Sequence, residues 1–463
     1  MVEITLTVTY FAVLLGFGVL IANLLKKARI PDTFFLLIFG LIMGPTIFGS
    51  AWMLQYVSVS LVDVSKMGAI PDFLRVLALI LIVFLGTFNL SFRVFKKFSS
   101  VSIKLALIGV LFNTAFLGIA AHFIFNIDWL YSFLISAVIS GTGTGVLFAF
   151  QDALKHSKKA LHILTVESIF NTPLCVILPI LFLDLIALQP GALIEPLKYA
   201  SQFWQMIAAG VGTGLLIGLA VASIMKRMLR EYSVLLLFSI SLITYALAEL
   251  VGGSGMLAVA ICGLIAGNMV FPYKKDIKRF DDHLSEMLRI SVFTLLGAQV
   301  ALFITMQEFV MALVFFFIIF FSRALFVVPL VYHMKGELNK KEILFLNFVA
   351  PRGLASAAIA PIVVSTIITA GGGMEPFVTI ANSMMNVIFL VILFSILFST
   401  MVASLIGHFT KDEEYSRVPK GERLIERAEK SEERKRVFGE EEMLERAERD
   451  KSEKKAHQKR KRK

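Results

Sequence analysis

Glu167-Ser168-Ile169-Phe170-Asn171-Thr172-Pro173 sets a carboxylate, an amide and two hydroxyls inside an apolar stretch that runs from about residue 160 to 188. At helical spacing Glu167 and Asn171 share one face and Ser168 and Thr172 the adjacent one, and Pro173 removes a backbone donor one residue later. An ionisable side chain in a spanning helix costs at least about 2.5 kcal/mol on insertion scales and turns toward a cavity or a partner. The stretch therefore reads either as a binding site within the bilayer or as a polar knot that glues helices together.

Composition puts this stretch in a membrane. Of 463 residues 57% are hydrophobic and only 17% charged, and the mean hydropathy is +0.79, a balance no ordinary soluble domain reaches. Apolar stretches able to cross a hydrocarbon core of roughly 30 Å fall at about 4–25, 34–50, 73–91, 101–124, 130–150, 160–188, 203–224, 232–250, 255–272, 288–306, 308–333, 342–370 and 380–408. An all-α polytopic membrane protein of about thirteen spans is expected. The first stretch is kept as a helix, because it lacks a basic leading segment and a small-residue cleavage site.

Basic residues alternate with the spans. Lys26, Lys27 and Arg29 follow the first, Arg93, Lys96 and Lys97 the third, and Lys155, Lys158 and Lys159 the fifth. Lys226, Arg227 and Arg230, then Lys274, Lys275, Lys278 and Arg279, then Lys335, Lys340 and Lys341 continue the series. Such loops stay in the cytoplasm, so the sequence predicts a multi-pass protein of the cell membrane with its amino terminus outside and its carboxyl terminus inside. The net charge of +11 sits in these loops and in the terminal Lys459-to-Lys463 cluster, which points to topology and anionic lipid rather than to nucleic acid. Two parts are expected: a transmembrane domain over residues 1–410 and a charged cytoplasmic tail over 411–463.

Nothing in the sequence suggests an enzyme or a cofactor. Cys175 and Cys262 lie singly in apolar spans and read as small core residues. The seven histidines are scattered, with no pair at the spacing a hydrolytic zinc site needs.

Two spans carry breaks. Ser140-Gly141-Thr142-Gly143-Thr144-Gly145 is a poor helix interior, and Ala350-Pro351-Arg352-Gly353 flanks a charge with a proline and a glycine. Interrupted helices in corresponding positions of two halves point to a transporter site, where half-helix ends and freed backbone groups meet the substrate; either alone reads equally as a kink. Among the other charges, Glu249 and Arg323 read as members of structural pairs, and Asp184 as interfacial. The runs Phe315-Phe316-Phe317 and Phe320-Phe321 are expected to face lipid or a dimer interface.

These motifs resemble the sodium/proton exchanger branch of the cation/proton antiporter superfamily. The resemblance rests on the Glu-Ser-x-x-Asn run at Glu167, on Pro351-Arg352-Gly353, and on Ala248 to Gly255 with Leu257-Ala258-Val259 and Gly263 to Asn268. Ile30-Pro31 followed by Gly40 to Pro45 is also similar. It spans roughly residues 10 to 405. It implies inverted repeats with crossed broken helices, a core domain moving against a dimerisation scaffold in a homodimer, and exchange of Na⁺ or K⁺ for H⁺. It also implies a structural ion pair between Glu167 and Arg352.

The ion-binding residues expected on this basis are Thr142, Gly143, Thr144, Glu167, Ser168, Asn171 and Thr172, with no metal beyond the transported cation. Three acids common in the family are missing: Thr172 follows the sixth-span asparagine, Gly143 stands in the fifth-span break, and Leu85 stands in the third span. Thr, Gly and Leu do not titrate, so competition between cation and proton at an aspartate is unavailable and Glu167 is the remaining acid. Proton coupling is therefore expected to be weak or absent. A transporter of anions or polar neutral solutes on the same fold, and a non-transporting regulatory homologue, stand as alternatives.

Overall fold

The computed structural model describes residues 2–25, 31–44, 62–143, 158–187, 195–225, 230–269, 274–300, 306–332, 338 and 340–417. Fourteen α-helices occur among them. They are α1 (Val2–Leu25), α2 (Asp32–Met43), α3 (Ile70–Phe88), α4 (Phe92–Phe125), α5 (Trp129–Ile139), α6 (Lys158–Ile186) and α7 (Pro196–Met225). The second series is α8 (Arg230–Leu250), α9 (Gly255–Gly267), α10 (Lys274–Gln299), α11 (Met306–Tyr332), α12 (Lys340–Phe348), α13 (Leu354–Ala370) and α14 (Glu375–Arg417). Each expected span meets a helix, and the twelfth is split into α12 and α13 by the Pro351-Arg352-Gly353 break. Seven helices are long and apolar enough to cross a membrane unaided: α1, α3, α4, α6, α7, α11 and α14.

Two helix boundaries depart from hydropathy. The tenth span, expected from residue 288, belongs to α10, which starts at Lys274 and stops at Gln299. Its first half is charged, and charge ends an apolar stretch without ending a helix, because Lys, Arg and Glu are good helix formers. The boundary expected between 410 and 411 falls inside α14, which runs to Arg417. Met1–Ile406 forms one compact unit. Residues 418–463, most of the expected tail, lie outside the described residues.

Within that unit the helices pack as two groups. α4, α5, α6, α11, α12 and α13 gather around the breaks, while α1, α2, α3, α7, α8, α9 and α10 form the second group. Small residues let the second group approach closely. Gly40 lies on the backbone of Thr294 and Ala298, Gly297 on that of Leu37, and Gly263 on that of Phe84. The groups meet where α13 packs on α3 and α10 and where α9 packs on α6. Exposed Leu20 on α1 and Leu216 and Leu219 on α7 leave apolar faces suited to lipid.

Glu249 and part of the phenylalanine runs have roles other than those expected. Glu249 forms no ion pair among the described residues. Its carboxylate accepts the Gly255 amide at 2.8 Å and Ser254 caps the same helix, so both satisfy the open amino end of α9. The phenylalanine runs divide: Phe315 and Phe316 are buried, whereas Phe321 is exposed. Neighbouring positions on a helix point about 100° apart, so one run feeds both the core and the periphery.

Candidate functional site

The site is built where two interrupted helices cross. α5 ends at Ile139 and Gly141–Gly143 continue without helical structure; α12 ends at Phe348 and α13 begins at Leu354. The Gly143 amide donates to the Pro351 carbonyl at 2.9 Å. Gly143 and Gly353 touch backbone to backbone, and a Cβ added to either would collide with the other's main chain. Only glycine allows this approach.

Arg352 completes the other broken helix. Its amide donates to Ser395 Oγ at 3.0 Å, and its Nη1 donates to the Ser140 carbonyl at 2.5 Å. Ser356 Oγ donates to the Val138 carbonyl at 2.7 Å. The carbonyls orphaned at the end of α5 are thus met by a cation and a hydroxyl from the second half of the chain, which also suits the negative end of the helix dipole.

α6 supplies the polar face beside this crossing. Ser168 Oγ donates to the Thr142 carbonyl at 2.7 Å, and Asn171 Nδ2 donates to Thr142 Oγ1 at 2.6 Å. Thr172 Oγ1 turns back to the Ser168 carbonyl of its own helix at 2.8 Å. Asn171 Oδ1 is buried with no hydrogen-bond partner among the described residues. Six of the seven expected residues, Thr142, Gly143, Glu167, Ser168, Asn171 and Thr172, are buried here. Thr144 lies outside the described residues.

The ion pair differs from the one expected. Glu167 Oε2 accepts Nη2 of Arg323 at 2.7 Å, and Arg323 Nε donates to the Leu346 carbonyl at 2.8 Å. Arg352 makes no salt bridge to Glu167; it is committed to the end of α5. The sequence did carry a signal for Arg323, a lone charge inside an apolar span, but nothing in it named the partner. Cys175 packs against Ser140 and Gly141, and Cys262 against Thr244, as small core residues. Among the described residues no group of three potential metal ligands occurs.

A family profile described as "Sodium/hydrogen exchanger, transmembrane" matches residues 11–406. The chain belongs to the sodium/hydrogen exchanger family. It is accordingly a multi-pass membrane transporter of the cation/proton antiporter type and not an enzyme. The solved structure of the sodium proton antiporter MjNhaP1 from Methanocaldococcus jannaschii at pH 8 is similar to it with a TM-score of 0.73. That match has 23% identity and covers 88% of this chain and 98% of the other.

Among this exchanger's relatives, the probable Na(+)/H(+) antiporter 2 of Methanocaldococcus jannaschii is 28% identical over 316 residues, 65% of this chain and 71% of the relative. The Na(+)/H(+) antiporter 1 of the same organism is 26% identical over 379 residues, 77% and 83% of the two chains. The K(+)/H(+) antiporter NhaP2 of Shewanella oneidensis is 27% identical over 199 residues, 42% of this chain and 34% of the other. Against that background, the exchanger's own crossing has a threonine at 172 and a glycine at 143, and at 143 the crossing backbone leaves no room for a side chain.

Proposed function

We propose that this exchanger carries Na⁺ or K⁺ with only weak coupling to protons, the cation being held at the crossing by oxygens of Thr142, Gly143, Thr144, Ser168, Asn171 and Thr172, with Glu167 as the adjacent acid. The observation that carries this reading is Asn171 Oδ1: a buried acceptor without a partner among the described residues, on a side chain fixed through its nitrogen to Thr142. A buried acceptor left unsatisfied is costly, and a desolvated alkali cation takes oxygen ligands of this kind. Relatives named for Na⁺ and K⁺ exchange support a cation over an anionic or neutral solute.

Proton coupling is proposed to be weak. Thr172 and Gly143 carry no titratable group, and Glu167, the remaining acid, is engaged by Arg323. We further propose a homodimer in the cell membrane, by analogy with the family, with the amino terminus outside and a charged cytoplasmic tail from about residue 411; the alternation of basic loops supports the orientation.

Proteoliposomes with an internal pH dye and an imposed Na⁺ or K⁺ gradient test the mechanism. Cation uptake with little pH change is expected. Robust cation-driven alkalinisation, abolished by Glu167→Gln and not by changes elsewhere, would make Glu167 an efficient proton carrier and end the weak-coupling reading. A folded protein that moves neither cation ends the proposal.

A further inference from the structure

Formal charge at the crossing does not cancel. Arg323 and Arg352 are 3% and 2% exposed, and Glu167, 2% exposed, is the one carboxylate among the described residues that pairs with either. It belongs to Arg323. Arg352's side chain bonds to the Ser140 carbonyl and, at a longer 3.5 Å, to that of Gly141; carbonyls soften a charge without neutralising it. Among the described residues one positive charge therefore remains at the crossing, within the membrane-spanning part of the protein, where an uncompensated ion is strongly disfavoured.

A small cavity adjoins both guanidinium groups, between α11, the end of α12, the break and α14. Arg323, Arg352, Asn347, Ser395, Ser399 and Phe320 are among the residues lining it, and it has room for about one water-sized particle. Its polar groups are mostly donors. The guanidinium of Arg352 uses Nη1 on the Ser140 and Gly141 carbonyls and that of Arg323 uses Nε on the Leu346 carbonyl and Nη2 on Glu167, which leaves each guanidinium further N–H donors, with the hydroxyls of Ser395 and Ser399 also in the cavity lining. Asn347 Oδ1, buried and unpartnered among the described residues, is the exception, and a water bridging it to a neighbouring anion would satisfy it. Among the described residues no carboxylate lines the cavity.

We propose that this cavity holds one resident halide ion, chloride under physiological conditions, which supplies the negative charge missing beside Arg352. The donors fit an anion, room for about one water-sized particle favours a single small ion, and the phenylalanine walls suit a weakly hydrated monovalent ion better than a multiply charged one. This ion is a fixed counter-charge, distinct from the transported cation. It is placed on the α11 and α14 side of the crossing, away from the α6 face that carries Asn171.

Binding is measured without transport, so its outcome is independent of the cation flux experiment. Purified protein in detergent is titrated with radioactive chloride, and its thermal unfolding is followed in chloride, bromide or gluconate at fixed cation and ionic strength. The expected result is saturable binding of one chloride per chain, with unfolding temperature raised by chloride and bromide and not by the bulky gluconate. Ser399→Asp, which places a carboxylate at the cavity, and Arg352→Gln, which removes the excess charge, should each weaken chloride binding by at least about tenfold and erase the anion dependence of unfolding. Indifference of the native protein to the anion overturns the proposal, as does unchanged chloride binding in a folded variant. Should neither variant fold, a native structure grown in bromide decides: an anomalous peak between Arg352 and Ser399 upholds the site, and its absence at a saturating concentration overturns it.

Discussion

Two buried arginine clusters in this exchanger have opposite charge balances. In the second helix group, Arg289 of α10 donates to Asp32 of α2 at 2.9 and 2.6 Å and to Glu286 of its own helix at 2.5 Å. Two carboxylates serve one guanidinium there, and they keep 20% and 50% of their side-chain surface exposed. At the crossing, two guanidinium groups share one carboxylate, and all three are sealed from solvent. The first arrangement is a tether whose charges water can screen. The second is an unbalanced, desolvated site where an arriving ion changes the energy most, because Coulomb interactions strengthen as the local dielectric falls.

The largest test of that contrast removes each arginine. Arg323→Ala strands Glu167 as a buried carboxylate and should cost about 3–5 kcal/mol. Arg289→Ala leaves acids that reach water and should cost about 1–2 kcal/mol. Thermal unfolding in detergent reads both; equal losses would erase the distinction between the clusters.

Backbone contact sets the next test. Gly143→Ala or Gly353→Ala forces a Cβ into the opposing main chain and should destabilise by about 1–3 kcal/mol or more. Gly212 on α7 faces open space, and Gly212→Ala should be neutral or stabilise by up to about 1 kcal/mol through helix propensity. If the alanine variants at 143 and 353 melt like wild type, the two helices do not touch in the protein.

A third comparison separates the two missing acids of the crossing. Thr172→Asp adds a titratable group on a rigid helix and should increase cation-dependent proton movement in proteoliposomes. Adding Gly143→Asp should abolish folding, since that position has no space. A well-folded Thr172→Asp variant with unchanged pH-dye signals would show that residue 172 lies outside the ion path.

The smallest effect distinguishes two asparagines. Asn268, in the second helix group, is well bonded: it accepts the Phe92 amide at 2.6 Å and donates to the Leu90 and Leu264 carbonyls, each at 2.8 Å. Asn171 uses its nitrogen on Thr142 and leaves its oxygen open. Asn268→Ala should lower stability by about 1–2 kcal/mol and leave cation affinity intact, whereas Asn171→Ala should lower stability by about 1 kcal/mol and weaken cation binding. Tracer competition in detergent measures the affinities, and equal affinity in both variants would count against Asn171 as a ligand.

What could be read without coordinates was whatever depends on local pattern. Thirteen apolar stretches mark the helices because a membrane demands continuous hydrophobicity, and the two glycine-rich or proline-bearing interruptions mark the breaks because those residues disfavour a helix interior. Ser168, Asn171 and Thr142 were legible as polar groups at membrane depth. The partner of Glu167 was not. Arg323 lies 156 residues away and Arg352 further still, and choosing between them needs the packing of α11 against α4 and α12, which no local pattern encodes. The contact of Gly143 with Gly353 was hidden for the same reason. Glycine at 143 reads as a lost charge in one dimension, and as a lost charge with no space to restore it in three.

The bonds from Arg352 and Ser356 to the end of α5 also bear on how the chain is made. Ser140 is synthesised 212 residues before the arginine that meets its carbonyl. At about 5–20 residues per second, roughly 10–40 s separate them on the ribosome. Throughout that interval α5 enters the membrane as a half-finished part, its terminal carbonyls lacking the groups that will meet them. A nascent chain stopped before residue 350 should therefore be a substrate for quality-control proteolysis, however apolar its helices, and delivery of the twelfth span should be the moment at which the protein becomes resistant.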